Sequence, residues 1–176
     1  RQPMSAVFAH NVHDPALPSS IGVTRFPTSW AKGNDPMRRT MRALAAVAPR
    51  LPVPLASYLQ MDRVTRDPEI VELLDTDPLG RRSYPMGFMA GLVDVDMSGM
   101  RDGSIACPVV VIAASGDRLF TLDYTRQVFE TIVAPHKELV VIDSDTHLIF
   151  NEALEEVLPR LVPLLRERSG ATADGD

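Results

Sequence analysis

Apolar residues gather into a few short bursts separated by turn residues. The densest, Pro108-Val-Val-Val-Ile112, follows Cys107 and is closed by Ala-Ala-Ser-Gly116-Asp117. A second, Leu139-Val-Val-Ile142, runs into Asp-Ser-Asp-Thr-His147. Continuous apolar runs of this length, bounded by turn signals, are the pattern of strands buried on both faces. Between them Thr121 is placed to cap a helix whose apolar positions are Tyr124, Val128, Phe129, Ile132 and Val133, stopped by Pro135. Asn151 opens a last helix carrying Leu154, Val157, Leu158, Leu161, Leu164 and Leu165. Pro159 and Pro163 each remove a backbone donor, so that helix is expected to kink or split. Near the start, residues 4–12 read as a short buried strand ended by His13-Asp-Pro15.

The intervening stretch is different in kind. From Ala16 to Pro36 the chain is loop-like, punctuated by Pro18, Gly22, Pro27, Gly33 and Pro36. A helix is predicted over Met37–Ala48, with Met37, Met41, Leu44, Ala45 and Ala48 on one face, Asp35 as cap and Pro36 at its first position. Pro49, Pro52 and Pro54 stop it. Shorter helical pieces are expected over Leu55–Met61, over Pro68–Leu74 with Asp67 as cap, and over Pro85–Val93, where Gly87 and Gly91 cost about 1 kcal/mol each relative to alanine. These patterns divide the chain into a core strand (1–15), a mostly helical cap with its connection (16–104), a strand-helix-strand-helix core (105–169) and a disordered tail (170–176). Met86, Met89 and Met97, with Met37, Met41 and Met61, suit either an adaptable apolar pocket wall or plain core.

Composition narrows the function classes. A net charge of -5 argues against a nucleic-acid binder. The one basic cluster (Arg25, Lys32, Arg38, Arg39, Arg42, Arg50) reads as the solvated face of a cap helix. A single cysteine, Cys107, cannot form an internal disulfide, which fits a reducing compartment, the cytoplasm. No apolar run reaches the ~20 residues of a membrane span. Nor is there a secretory leader after Arg1, although a chain beginning at Arg rather than Met is not expected to show its native start.

The chemistry lies at the ends of the two apolar bursts. Asp117 follows one and His147 the other, at the carboxyl ends of strands where open α/β sheets build their sites. An acid that orients a histidine needs this kind of placement. Asp123 is the fallback acid but falls in the first turn of a helix, where it complements the dipole. Asp143 and Asp145 are too close in sequence to His147 to orient its ring. No Gly-x-Ser-x-Gly pentapeptide occurs, and Ser98, Ser104 and Ser115 lack the context of a nucleophile. His10 and His13 lack a third metal ligand. Asp94-Val-Asp96-Met-Ser98-Gly99 begins like a calcium loop but places Ile105 at its twelfth position. No cofactor or metal is expected.

The segment from Cys107 through Gly116-Asp117-Arg118 to His147-Leu-Ile-Phe-Asn-Glu152 resembles the end of α/β-hydrolases, in the branch of monoacylglycerol lipases, esterases and serine aminopeptidases. Asp77-Pro-Leu-Gly80 resembles that branch's connection from cap to core more loosely. The resemblance implies an α/β fold: the last three, mostly parallel, strands of a hydrolase sheet, with a helical cap inserted between the first and second. It implies that Asp117 is the triad acid and His147 the general base, acting on a small apolar ester or acyl substrate. The nucleophile and the glycine-rich oxyanion loop would belong to an upstream half of the fold. Thr146 stands where the family commonly has Gly, so this turn must form without a positive φ. The alternatives are a non-catalytic module that binds a partner chain or apolar ligand, and an enzyme with an aspartate nucleophile, as in dehalogenases and epoxide hydrolases.

Overall fold

In the computed structural model, residues 4–15, 17, 36–78 and 80–169 are described. Most of the loop read over 16–35 lies outside them, as do Asp35, the Met37 side chain and the tail over 170–176. The first strand, β1, is Val7–His10, shorter than the predicted 4–12 because Asn11 turns to φ 58°, a left-handed conformation that ends a strand. Helix α1 is Pro36–Val47. A strand β2 (Pro52–Pro54), a 3₁₀ turn over Leu55–Ser57 and a short helix α2 (Met61–Val64) occupy the place of the single helix predicted over 55–61. Helix α3 (Pro68–Thr76) starts as predicted: the Asp67 side chain accepts from the Glu69 amide at 2.9 Å. Strand β3 (Ser83–Pro85) leads directly into α4 (Met86–Asp94). Then come β4 (Val109–Ala114), α5 (Leu122–Thr131), β5 (Lys137–Ile142), α6 (Ile149–Glu152) and α7 (Leu154–Ser169).

The chain forms two compact units, Asp14–Met97 and the remainder, Arg1–His13 with Ser98–Asp176. In the remainder, β1, β4 and β5 make a three-stranded sheet in the order β1-β4-β5, parallel throughout. The registers place His10 beside Ile112 and Ala114 beside Ile142, so the three carboxyl ends form one rim. Every residue of the central strand β4 is buried, as its unbroken apolar run requires. One face of the sheet packs Val110, Ile112, Ala114, Val140 and Ile142 against Ile149, Ala153 and Val157. The other packs Val109 and Val111 against Ile132, with Phe129 and Met100 at its margin. Removing a fully buried valine such as Val110 from water stabilises the fold by roughly 1.5–3 kcal/mol.

Helix termini here follow local chemistry. Thr121 caps α5 by accepting from the Tyr124 amide at 3.3 Å. At the other end the Lys137 ammonium donates to the Phe129 and Glu130 carbonyls at 3.0 and 3.2 Å, a cation at the negative end of the dipole. The last helix departs from expectation. It breaks at Ala153, and α7 then runs uninterrupted through Pro159 and Pro163. Both prolines are exposed and lie four apart on one side, and the Glu155 and Pro159 carbonyls they leave without an amide partner belong to exposed residues. Val157 is buried and Leu161 and Leu164 partly so, whereas Leu154, Leu158 and Leu165 are exposed.

In the unit spanning Asp14–Met97, α1 packs against α4 and β2 pairs antiparallel with β3. That two-stranded ladder went unpredicted. Its residues include Pro52, Pro54 and Pro85, which read as breakers but are tolerated where the missing amide faces outward. Among the described side chains of α1 the partly buried ones are Arg38, Met41 and Ala45, followed by Ala48 just past its end, with Leu44 exposed. Arg38 is turned in because Asp94 receives it at 3.1 Å, while Arg42 grips the same carboxylate at 2.5 and 2.7 Å. Two members of the expected solvated basic face are thus ion-paired, and the first residue of the calcium-like segment is an arginine receptor. Met86 and Met89 are buried in α4, as core residues are. Among the described residues no helix is long and apolar enough to cross a membrane.

Candidate active site

The parallel register delivers two turns to the same place. Gly116 lies two residues beyond β4, and its amide donates to the Ser144 carbonyl beyond β5 at 2.8 Å. The Ser115 hydroxyl adds a bond to Asp143 at 3.1 Å. The approach is close enough that a Cβ at Gly116 would lie 3.0 Å from the Asp145 Cα and 3.2 Å from the Ser144 carbonyl oxygen. Glycine is therefore required here by backbone proximity.

Those turns carry Asp117 and His147. The Asp117 side chain is almost fully buried, and its two oxygens have separate partners. Oδ1 accepts from the Leu119 and Phe120 amides at 2.7 and 3.0 Å, which folds the loop leading to α5. Oδ2 accepts from Nδ1 of His147 at 2.9 Å. A loop-capping role and an orienting role coexist on one carboxylate. Because Nδ1–H donates to the carboxylate, Nε2 of the neutral His147 ring carries the lone pair. That nitrogen lies 3.2 Å from the Asn11 side-chain amide. Phe120 stacks on the imidazole, with centroids 5.4 Å apart and planes at 23°.

Thr146 forms its turn without a positive φ: among the described residues Asn11 is the sole non-glycine in that region. The threonine hydroxyl accepts from the Leu148 amide at 3.0 Å and donates to the Glu152 carboxylate, pinning α6 to the turn. Its side chain holds what a glycine's freedom would otherwise accommodate.

The other candidates fall elsewhere. The Asp123 side chain is 88 % exposed and lies 3.7 Å from Arg126. Ser104 donates to the Gly99 carbonyl and Ser115 to Asp143, and no described serine donates to His147. His13 bonds through Nδ1 to the Tyr124 hydroxyl at 3.0 Å. His10 ends β1 with its ring 5.9 Å from that of His147 and edge-on to Phe150. Burial, and secondarily the neighbouring His147, pull the His10 pKa from 6.5 down to about 4. No group of three or more His, Cys, Asp or Glu side chains that could hold a metal occurs among the described residues. Cys107 is buried and unpaired with another cysteine.

Asn11 and Phe120 were not singled out from the sequence. Asn11 had one readable sign, an asparagine directly after an apolar run, where left-handed backbone is tolerated. Its contact with His147 spans 136 positions and leaves no periodic trace.

An acid, a histidine and an unprotonated ring nitrogen in this order can relay a proton to and from a reacting hydroxyl or water. Comparison with known proteins agrees with the fold. The chain is 25 % identical over 155 residues to a monoacylglycerol lipase of Mycolicibacterium smegmatis, covering 86 % of this chain and 54 % of that protein. The monoacylglycerol lipase of Paleococcus ferrophilus superposes with a TM-score of 0.63 at 21 % identity, over 75 % of this chain and 52 % of that one. A soluble variant of monoglyceride lipase from Saccharomyces cerevisiae, solved with a substrate analogue, gives a TM-score of 0.56 at 17 % identity, over 77 % and 50 %. The chain thus spans about half the length of these relatives. Residues 22–153, which include both Asp117 and His147, match the family model described as Serine aminopeptidase, S33. With this sheet order and that match over most of its length, the chain belongs to the serine aminopeptidase S33 family of α/β-hydrolases.

Proposed function

We propose that this chain supplies the acid and the general base of an esterase or lipase whose serine and oxyanion donors lie on a preceding part of the same protein. The observation that carries the reading is the 2.9 Å bond from His147 to the buried Asp117, which leaves Nε2 as the acceptor. In the reaction, Nε2 takes the proton of the serine hydroxyl as its oxygen attacks the ester carbonyl. The resulting imidazolium is stabilised by Asp117 and returns that proton to the departing alkoxide. Water then repeats the cycle on the acyl-enzyme. The substrate class, an ester of an apolar acyl chain, is supported by the family and by the lipase names of its relatives. The unit Asp14–Met97 is the corresponding cap.

The test uses the full-length protein from the source gene beside the 176-residue chain. The full protein should hydrolyse p-nitrophenyl acyl esters and react with a fluorophosphonate probe, and the chain alone should do neither. Asp117→Asn should lower kcat by about 10⁴, as expected when a triad histidine is held in the wrong tautomer. Retention of kcat by both Asp117→Asn and His147→Gln would overturn the proposal. A full protein that neither hydrolyses esters nor takes the probe would instead favour the binding-module reading.

A further inference from the structure

The geometry points to Asn11 as a positioning residue for His147: its side-chain amide donates to Nε2 and holds the ring from the side opposite Asp117. The inference rests on the reading of Asp117 and His147 as acid and base. Three observations converge on it. First, Nδ1 and Nε2 are both engaged, at 2.9 Å by Asp117 and at 3.2 Å by Asn11, so the imidazole is fixed along its whole hydrogen-bonding axis. A ring held at one end alone can swing about that bond. Second, Asn11 reaches the ring through a φ of 58°, the one positive φ on a non-glycine among the described residues. Asparagine is the side chain that tolerates this conformation and also carries a donor of the right length. Third, the parallel register sets His10 beside Ile112, which brings Asn11 to the rim where Asp117 and His147 sit.

The choice of an amide also has chemical meaning. Asparagine presents N–H to a neutral histidine and, after rotation about its last torsion, C=O to an imidazolium. It can therefore accompany the base through both protonation states, which an aspartate or a hydrocarbon at this position cannot do. The bond also caps the lone pair that a serine hydroxyl must engage, so the nucleophile competes with Asn11 for Nε2 at the start of each cycle.

The experiment uses the intact 176-residue chain. Carbethoxylation with diethyl pyrocarbonate proceeds through the lone pair of a neutral imidazole and is read by peptide mass spectrometry at slightly alkaline pH. His136, whose side chain is half exposed, serves as internal standard. Asn11→Gly relieves the backbone and removes the donor, whereas Asn11→Leu covers the ring without donating. Both should speed His147 modification by roughly three- to tenfold, the equivalent of one hydrogen bond, with His136 unchanged. In the unsubstituted chain, NMR should show NOEs from the Asn11 amide protons to the His147 ring, a readout that survives if a variant fails to fold. Absence of those NOEs, or acceleration in the glycine but not the leucine variant, overturns the inference. If Asn11→Gly and Asn11→Leu accelerate modification while Asp117→Asn changes nothing at His147, the acid–base reading fails and the Asn11 contact stands.

Discussion

Replacing Gly116 with alanine tests whether the two turns are as tightly joined as their geometry indicates. The added Cβ would lie 3.0 Å from the Asp145 Cα, 3.1 Å from its Cβ and 3.2 Å from the Ser144 carbonyl oxygen. Two of these three neighbours are backbone, which cannot rotate away, so the turns must part by roughly 0.4 Å to reach ordinary contact. Overpacking of this kind costs about 1–3 kcal/mol. Weakening the 2.8 Å bond from the Gly116 amide to Ser144 adds about 1 kcal/mol. The expected loss is therefore ~2–4 kcal/mol, read as a lower urea midpoint at unchanged m-value and a melting temperature lower by roughly 4–16 °C. Gly91, in the middle of α4, is the matched control, since a Cβ there meets nothing within 4 Å. Gly91→Ala should be neutral or stabilising by up to about 1 kcal/mol. A Gly116→Ala protein within ~0.5 kcal/mol of the unsubstituted chain would refute the argument, because the turns would then have room the structure denies them.

Three further outcomes follow from the same structure. Asp117→Ala should destabilise the chain by about 2 kcal/mol more than Asp117→Asn in urea unfolding, because asparagine can still accept from the Leu119 and Phe120 amides while alanine strands them. Since the His10 pKa drops from 6.5 to about 4 on folding, the unfolded chain binds a proton there that the folded chain refuses. Stability should fall as pH drops from 6.5 towards 4 and be insensitive to His10 above 6.5, and His10→Phe should flatten that slope; equal slopes would exclude the effect. Asp94 is held below the usual carboxylate range, chiefly by its hydrogen bond from Arg42 and also by Arg38. Its contribution is present above the unfolded carboxylate value and disappears as pH falls through the lower folded value. Asp94→Asn should remove that acid-limb dependence and make unfolding less sensitive to salt.

What could be read from the chain, and what could not, divides along a physical line. The apolar run of β4 was legible because a strand buried on both faces has few polar choices; that of β5, an edge strand in which only Val140 and Ile142 are buried, was legible from its apolar residues and the turn residues that follow. Asp117 and His147 were legible because they follow those runs in order. The ladder of β2 and β3 was hidden by Pro52, Pro54 and Pro85, whose usual effect is to break strands. The continuity of α7 was missed because a proline's effect depends on whether its freed carbonyl is buried or wet, and spacing alone does not say which. Arg38 replaced Leu44 on the inner side of α1 because of a carboxylate 56 positions away. The contact made by Asn11 was hidden for the same reason: its position after an apolar run hinted at a turn, but its partner ring lies 136 positions away.

The all-buried centre strand has a consequence for how the molecule breathes. Amides of β4 are enclosed on both faces and paired on both edges, so they should exchange with solvent only when the whole unit opens. The turns carrying Asp117 and His147 are both anchored to the β4–β5 pairing. Asn11 is anchored to β1, four residues long, only partly buried and, among the described residues, paired with β4 alone. Sub-global opening of this chain should therefore begin at β1 and release the Asn11 amide first, while Asp117 and His147 remain joined. Within one small sheet, the His147 ring has a lasting partner on one side and a detachable one on the other.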